Sequence, residues 1–225
     1  MRHYSGGKHT LWRFQANVHV YSLRVTSSPI GPPGLTTTTG GAVYTRWGRT
    51  VCPSTPGTQL LYAGRAAGSW RDQKGGGANY LCLPEQPQYS TYTAGTQNGR
   101  AYLYGAEYET GGSHSTDNGP LISVAEHNVP CAVCYTSTRV SVVMIPARVS
   151  CPSSWTREYH GYLMAAFYGH YRTMFECMDR HPQSVPGSAG DRDEAALYHV
   201  EAKCNGIPCP PYDTQKEITC AVCTK

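Results

Sequence analysis

Short apolar runs separated by turn residues make up most of the chain from Ala42 onward. Runs of this kind, rich in β-branched and aromatic residues and bounded by Gly, Pro, Asn or Asp, are typical of β-strands. The predicted strands are Ala42–Trp47, Gln59–Ala63, Asn79–Leu83, Ala101–Tyr108, Val129–Tyr135, Val140–Ile145, Glu158–Phe167, Ala196–Ala202 and Glu217–Val222. The glycine-rich segments Lys74–Gly77, Gly111–Pro120 and Pro186–Asp193 predict exposed loops. No segment predicts a helix of more than two turns, so we expect an all-β protein.

A set of short motifs occurs twice in the same order. Cys-Ala-Val-Cys stands at Cys131–Cys134 and again at Cys220–Cys223, and Cys-Pro-Ser begins at Cys52 and at Cys151. The further matches pair Cys82 with Cys177, Pro87-Gln88 with Pro182-Gln183, Leu103-Tyr104 with Leu197-Tyr198, and Glu107 with Glu201. This repetition predicts two copies of one cysteine-framed unit of roughly ninety residues.

The boundary between the two units carries no flexible linker. Val140–Ile145, the strand richest in β-branched residues, leads directly from the first unit into the second. We therefore expect two tandem homologous β subdomains, residues 42–139 and 140–225, stapled by disulfides and packed as one body. Residues 1–30 show no clear periodicity and stay unassigned. Residues 31–41 contain Gly-Pro-Pro-Gly-Leu-Thr, which by itself predicts a turn-prone linker, followed by a flexible hinge.

The ten cysteines predict a disulfide framework in an oxidising compartment. Two cysteines three residues apart on a strand can each tie a different neighbouring segment, which gives two bridges per half. The remaining pair, Cys204 and Cys209, can close a small local loop around Asn205-Gly206. A zinc ribbon places its two Cys-x-x-Cys knuckles about 15–20 residues apart, whereas 85 residues separate Cys134 from Cys220. A thioredoxin-like redox pair needs a βαβ setting that the chain does not offer.

Composition excludes several classes of partner. The formal net charge is +4 and charged residues are 15% of the chain, without a basic run, so we expect no nucleic-acid partner. No apolar stretch is long enough for a membrane span. The first 25 residues mix charged residues and histidines into every apolar run, so no secretory signal is visible. If the protein is secreted, as the cysteines indicate, we expect its true start to lie outside this sequence.

Four motifs in combination resemble the C-terminal non-collagenous domain of type IV collagen, and most closely its relatives in the short-chain (spongin) collagens of sponges and other invertebrates. They are Cys52-Pro-Ser-Thr-Pro-Gly-Thr-Gln-Leu-Leu-Tyr62, Pro130-Cys-Ala-Val-Cys134, Ile145-Pro-Ala-Arg-Val-Ser-Cys151-Pro-Ser-Ser-Trp155 with Gly161-Tyr162, and Cys220-Ala-Val-Cys-Thr224. The likeness covers residues 40–225 and includes the duplication. Gly31–Thr36 then lies where that family's collagen helix ends.

The resemblance implies a secreted extracellular matrix protein whose β-rich subdomains exchange strands and so join chains into a trimer. It also implies the disulfides Cys52–Cys134, Cys82–Cys131, Cys151–Cys223, Cys177–Cys220 and Cys204–Cys209. Partners would be copies of this chain or related chains, with other matrix proteins possible. Two departures limit the analogy: the first half lacks the small-loop cysteines, and no methionine lies between Ala101 and Cys131 to cross-link trimers head to head.

Candidate chemistry elsewhere in the chain does not predict an enzyme, a cofactor or a metal site. His160, His170, His181 and His199 lack the spacing of a His-metal site. The acidic segment Asp191–Glu194 lacks the positional oxygens and glycine of an EF-hand, which favours a solvated loop. No serine stands in a Gly-x-Ser-x-Gly elbow. Glu107 and Glu201 could form a carboxylate pair, but their equivalent positions in the repeat favour structural roles.

The main alternative is a secreted carbohydrate-binding, lectin-like module. Such a module would stack aromatic faces on sugar rings, and six residues are candidates: Trp47, Trp70, Trp155, Tyr89, Tyr92 and Tyr108. The two hypotheses differ in what is exposed. A lectin clusters its aromatic residues in a concave polar site, whereas an assembly domain buries them between chains.

Overall fold

Ten β-strands form nearly all the regular structure of the part of the chain that the computed structural model describes, residues 40–96, 98–111 and 121–225. The strands are β1 (Ala42–Trp47), β2 (Thr58–Gly68), β3 (Leu81–Pro84), β4 (Tyr104–Tyr108), β5 (Pro130–Thr136), β6 (Val142–Pro146), β7 (Thr156–Ala165), β8 (Glu176–Asp179), β9 (Ala195–His199) and β10 (Thr219–Thr224). One 3₁₀ turn, Ile122–Val124, is the only helical element among these residues. The all-β prediction is confirmed.

Two parts of the prediction lie outside the described residues. They are the N-terminal segments, residues 1–30 and all but the last two residues of 31–41, and most of the predicted loop Gly111–Pro120. Within the described ranges no helix is long and apolar enough to cross a bilayer.

The predicted strands agree with the structure apart from their ends and one omission. Strand β2 continues to Gly68 rather than ending at Ala63, because it pairs with both β3 and β5 through its second half. The omitted strand is β8, whose sequence Glu-Cys-Met-Asp has charged residues at both ends and no alternation. Its extended form is imposed by pairing with β7, where Met178 lies opposite Tyr162.

The two halves of the chain pair their strands in the same pattern. In the first half β5 lies between β1 and β2, and β2 also pairs with β3 and β4. In the second half β10 lies between β6 and β7, and β7 also pairs with β8 and β9. Each half even carries a β-bulge at the same place, at Leu61 and at Glu158. The sequence repeat is therefore also a repeat of strand pairing.

Two parallel pairings join the halves. Strand β8 lies beside β1, with Met178 opposite Trp47, and β9 lies beside β4, with Leu197 opposite Tyr108. A ten-stranded sheet therefore runs through both halves, and residues Thr38–Lys225 form one compact unit. The expected division into two tandem subdomains packed as one body is not confirmed and stays a prediction.

One buried cluster crosses from half to half. It contains Trp47 and Tyr108 from the first half and Met164, Met178 and Leu197 from the second, each at most 6% exposed. Burial of such large apolar side chains stabilises a fold by roughly 1.5–3 kcal/mol each. Packing across the boundary therefore contributes to holding the halves together.

A glycine allows a very close strand approach at the same point in each half. A Cβ atom added to Gly64 would lie 1.8 Å from the Leu83 carbonyl oxygen, and one added to Gly161 would lie 1.7 Å from that of Met178. No side chain fits at such a distance, so glycine is required where β3 crosses β2 and where β8 crosses β7.

Candidate functional site: the inter-half interface and its exposed counterpart

All ten cysteines are joined in five disulfides: Cys52–Cys134, Cys82–Cys131, Cys151–Cys223, Cys177–Cys220 and Cys204–Cys209. These are the pairs that the collagen resemblance implies. Strands β5 and β10 each contribute two cysteines that tie different segments, and all four are fully buried. The framework fits a secreted or extracellular protein. It also leaves no thiolate to bind zinc.

We call the contact between the two halves at β1 and β8, together with the residues that follow each strand, the inter-half interface. Polar groups stabilise it. The Trp47 indole N–H donates to a Glu176 carboxylate oxygen at 2.8 Å, and Arg46 forms an ion pair with Asp179 at 2.7 Å. Asp179 is 2% exposed. Burial raises the pKa of Glu176 to about 7, although the Trp47 hydrogen bond acts in the opposite direction.

Gln183 continues this interface beyond the end of β8. Its backbone N–H donates to the Gly48 carbonyl at 2.7 Å, and its backbone carbonyl accepts from the Tyr108 hydroxyl at 2.9 Å. Its side-chain oxygen accepts from the backbone N–H of Thr50 at 3.1 Å and from the Thr50 hydroxyl at 3.2 Å. Gln183 therefore forms hydrogen bonds with both the backbone and the side chains of the first half.

Glu158, at the bulge of β7, is the buried centre of a second polar contact between the halves. Its carboxylate accepts hydrogen bonds from the Tyr44 hydroxyl at 2.7 Å and the Thr224 hydroxyl at 2.6 Å, and pairs with Arg139 at 2.9 Å. Burial raises its pKa, but the hydrogen bonds and the Arg139 charge outweigh burial and hold the pKa below its ordinary value. Glu158 is therefore ionised and paired inside the protein.

The repeat assigns most residues of the inter-half interface a counterpart that is exposed or half-buried. Because the second half docks β8 on β1, the same relation would dock β3 of the first half on β6 of the second half of another chain. Within the described residues, β3 pairs only with β2, and β6 only with β10. We call these two strands the free edges.

The free edges and the residues beside them carry exposed aliphatic side chains, and others such as Val43 and Leu103 lie elsewhere. Those on the free edges and beside them that are at least 38% exposed include Leu60, Leu61, Leu81, Val142, Val143 and Val149. Single exposed apolar residues are ordinary, whereas open strand edges that carry several of them are a recurrent feature of surfaces that pair with other chains.

The aromatic residues predicted for a sugar-binding site differ widely in exposure. Of the six candidate sugar-binding aromatics, Trp47 and Tyr108 are buried at 6% and 0% exposure, whereas Tyr89 and Tyr92 are exposed at 82% and 77%. Buried rings cannot stack on a sugar, so at most part of that set is accessible.

The four histidines of the second half also lie in separate surroundings. The rings of His199 and Tyr162 lie 5.3 Å apart, and those of His170 and Phe167 lie 5.4 Å apart. Burial and the charges of Arg157 and Arg180 lower the pKa of His160. In the described residues no group of possible metal ligands includes a histidine.

Glu107 and Glu201, equivalent in the repeat, have different environments. Glu107 is 1% exposed and accepts backbone N–H bonds from Arg192 at 3.2 Å and Asp193 at 3.0 Å. Glu201 is exposed and lies 3.7 Å from the Lys203 ammonium. The sequence analysis missed a cluster that Glu107 forms with Glu109 and Asp191, which the fold brings together from β4 and the loop before β9.

Comparison with known proteins adds no assignment, since no protein-family model matches the chain.

Proposed function

We propose that this protein is a structural component of the extracellular matrix, and that residues 40–225 act by self-association, joining chains into a trimer through the free edges β3 and β6. The observation that carries the proposal is the difference between two equivalent interfaces. One is paired within the chain, and the other presents two strands, each with one open edge among the described residues, that carry exposed aliphatic side chains. The network role in the matrix rests on the resemblance to the type IV and short-chain collagen domains.

The proposed contact copies the inter-half interface residue by residue. Registers within each half make Tyr44 equivalent to Val143, Arg46 to Ile145 and Trp47 to Pro146. On the other side, Glu158 is equivalent to Leu61, Glu176 to Leu81, Met178 to Leu83 and Asp179 to Pro84.

The copied contact replaces two polar pairs of the internal one with apolar pairs. The Tyr44–Glu158 hydrogen bond becomes Val143 beside Leu61, and the Arg46–Asp179 ion pair becomes Ile145 beside Pro84. Burial of exposed Leu or Val side chains stabilises an association by roughly 1.5–3 kcal/mol each before the entropic cost of binding. No buried charge is left without its partner when the chains separate.

Gln88 takes the place of Gln183 in the proposed contact. It follows β3 at the offset at which Gln183 follows β8, and its side chain is exposed. The positions it would meet are Ala147 and Val149, equivalent to Gly48 and Thr50. Ala147 has φ of +59° and Gly48 has φ of +85°, so both halves keep the same left-handed backbone at the docking point. A left-handed backbone is strained at an alanine. That Ala147 nevertheless adopts it supports the same docking geometry in both halves of the repeat.

A contact between β3 of one chain and β6 of the next is heterologous, since it joins two different surfaces. Heterologous contacts make rings when the rotation closes and filaments when it does not. The trimer implied by the collagen resemblance closes the ring with three chains, that is, six halves in alternating internal and intermolecular contacts. Every free edge is then covered.

The mass of the oxidised protein in solution, measured by sedimentation equilibrium, tests the proposal. We expect a trimer for the wild-type chain and dissociation for Leu81→Asp, which places a charge on the β3 edge. The matched control is Ile207→Asp, which introduces the same charge at an exposed aliphatic residue of the small disulfide loop. A wild-type monomer at all concentrations, or a Leu81→Asp trimer as stable as the control, would refute the proposed contact.

A further inference from the structure

Three carboxylates from different parts of the first-to-second half boundary meet at the end of β4. Glu107 and Glu109, two residues apart and so on the same side of an extended chain, are 1% and 4% exposed. Asp191, exposed, belongs to the loop that precedes β9. One carboxylate oxygen from each of the three lies within 4.8 Å of the others.

The Glu109 carboxylate points to a ligand independently of this clustering. Its residue is 96% buried, and its Oε1 atom has no hydrogen-bond partner among the residues that the structure describes. A buried carboxylate oxygen without a partner loses its hydration and gains nothing in return, which is costly unless a proton or a cation supplies the missing interaction.

The surrounding charges increase that cost. After burial itself, the groups that raise the pKa of Glu109 to about 8 are all carboxylates: Glu126, Glu107, Asp193 and Asp191. The nearby phenol of Tyr198 is uncharged at neutral pH because its pKa is raised to about 12. Arg71, a cation of this region, is paired with Asp193.

The loop that carries Asp191 is held in place. The Glu107 carboxylate accepts the backbone N–H groups of Arg192 and Asp193, and the Glu194 carbonyl accepts the Arg71 backbone N–H at 3.0 Å. The three ligand oxygens therefore belong to fixed elements on both sides of the inter-half boundary.

The second half carries different residues at the positions equivalent to Glu107 and Glu109. Its counterpart of Glu107 is Glu201 and its counterpart of Glu109 is Lys203, and the two lie 3.7 Å apart as an exposed ion pair. In the second half the Lys203 ammonium thus lies beside Glu201. In the first half the position equivalent to Lys203 holds a second glutamate, Glu109. The repeat itself indicates that the first half takes its positive charge from outside the chain.

We propose that Glu107, Glu109 and Asp191 bind a divalent cation, calcium in preference to magnesium, that fastens β4 to the loop before β9. Carboxylate oxygens are the ligands of hard divalent cations. Oxygens on opposite sides of Ca²⁺ are about 4.6–5.2 Å apart, and on opposite sides of Mg²⁺ about 4.0–4.2 Å. The three oxygens, all within 4.8 Å of one another, are close enough to share either ion. Calcium is preferred because Mg²⁺ usually keeps several waters and takes only one or two protein carboxylates. This site belongs to a single chain and does not depend on trimer formation.

Calcium titration of the full chain after EGTA treatment and dialysis tests the site. We expect one site with Kd of about 10⁻⁴–10⁻³ M, as for extracellular calcium modules, and a higher melting temperature in CaCl₂. Isothermal titration calorimetry measures the affinity and the number of sites.

Variants separate this site from other acidic groups. Glu109→Gln should weaken Ca²⁺ binding at least tenfold while leaving the melting temperature in EGTA unchanged or higher, because it removes a buried like charge. Asp191→Asn, at an exposed position where misfolding is not expected, should also weaken binding. Glu201→Gln, the equivalent position in the second half, should bind as the wild type does.

Several results would overturn the proposal. They are no calcium-dependent heat or melting shift in the wild type, unchanged binding in both Glu109→Gln and Asp191→Asn, or tighter binding of MgCl₂ than of CaCl₂.

Discussion

The inter-half interface and the free edges use one topology with opposite chemistry. The internal contact is pinned by buried polar groups, Glu158, Asp179 and Glu176, which bond to Tyr44, Arg46 and Trp47. The free edges place Leu61, Pro84 and Leu81 at the equivalent positions. A buried charge is tolerated only while its partner is present. The contact within one chain always has its partner, whereas a contact between chains must also leave a stable separated state.

Reduction of the disulfides should have the largest effect, because it removes the frame on which both interfaces stand. Four of the bridges close segments with sequence separations of 43 to 82, and the chain-entropy model assigns such bridges about 4 kcal/mol each. We expect the fully reduced protein to lose its β circular dichroism at 25 °C. A thermal melt that reductant leaves unchanged would contradict a structural role for the framework.

Substitution of Glu158 should destabilise the single chain, and substitution of its counterpart Leu61 should not. Glu158→Ala leaves Arg139 buried without its carboxylate, which costs about 3–5 kcal/mol. Leu61→Ala, at a residue 51% exposed, should change the free energy of unfolding of the monomer by less than about 0.5 kcal/mol. Urea unfolding below the dissociation concentration measures both.

For trimer dissociation we expect the reverse order: the substitution of Leu61 should have the larger effect and that of Glu158 the smaller. Leu61→Ala should raise the dissociation constant of the trimer, since it removes part of the proposed apolar contact. Equal destabilisation of the monomer by the two variants would remove the chemical distinction between the interfaces.

Glu176 should make the inter-half interface pH-dependent, whereas its counterpart Leu81 cannot titrate. The pKa of Glu176 is about 7 in the folded protein, above its ordinary value. The folded state therefore holds a proton that the unfolded state loses, and this group's contribution falls as pH rises from about 4.5 to 7.

Glu176→Gln should remove that decline because the amide oxygen can still accept the Trp47 bond. We expect it to stabilise the protein at pH 8 by about 2 kcal/mol, allowing for solvent screening, with little effect at pH 4. Thermal melts across pH 4–9 measure the difference. Glu85→Gln, at an exposed residue just after β3, is the control, and a matching pH response there would assign the effect to surface charge.

Substitution of the two glutamines by alanine should have a small effect on the monomer. Gln183→Ala loses two side-chain hydrogen bonds to Thr50, worth about 1 kcal/mol together in this exposed setting. Gln88→Ala should leave the monomer unchanged and weaken the trimer. Chemical denaturation and the trimer dissociation constant separate the two outcomes, and a destabilised Gln88→Ala monomer would show that Gln88 already has a partner within the chain.

The sequence is sufficient to predict most strands because their apolar runs are bounded by clear turn residues. It does not predict β8, since Glu-Cys-Met-Asp becomes a strand only through pairing with β7 and β1. The equivalence of motifs such as Pro87-Gln88 and Pro182-Gln183 is visible in sequence. That one member docks and the other stays exposed is a tertiary fact.

The acidic cluster is likewise invisible in sequence. Glu107 and Glu109 are 82 or more residues from Asp191, and only the parallel pairing of β4 with β9 brings them together. The replacement of Glu109 by Lys203 at the equivalent repeat position is the one sequence signal that could have marked it.

Mixing two edge variants tests most directly whether the intermolecular contact copies the internal one. Leu81→Asp blocks β3 and keeps β6, whereas Val143→Asp blocks β6 and keeps β3. The account predicts that each variant alone is monomeric in sedimentation equilibrium and that an equimolar mixture forms a dimer of one of each, which cannot close into a ring. A trimer formed by either variant alone, or a mixture that stays monomeric while the wild type forms trimers, would contradict pairing of β3 with β6.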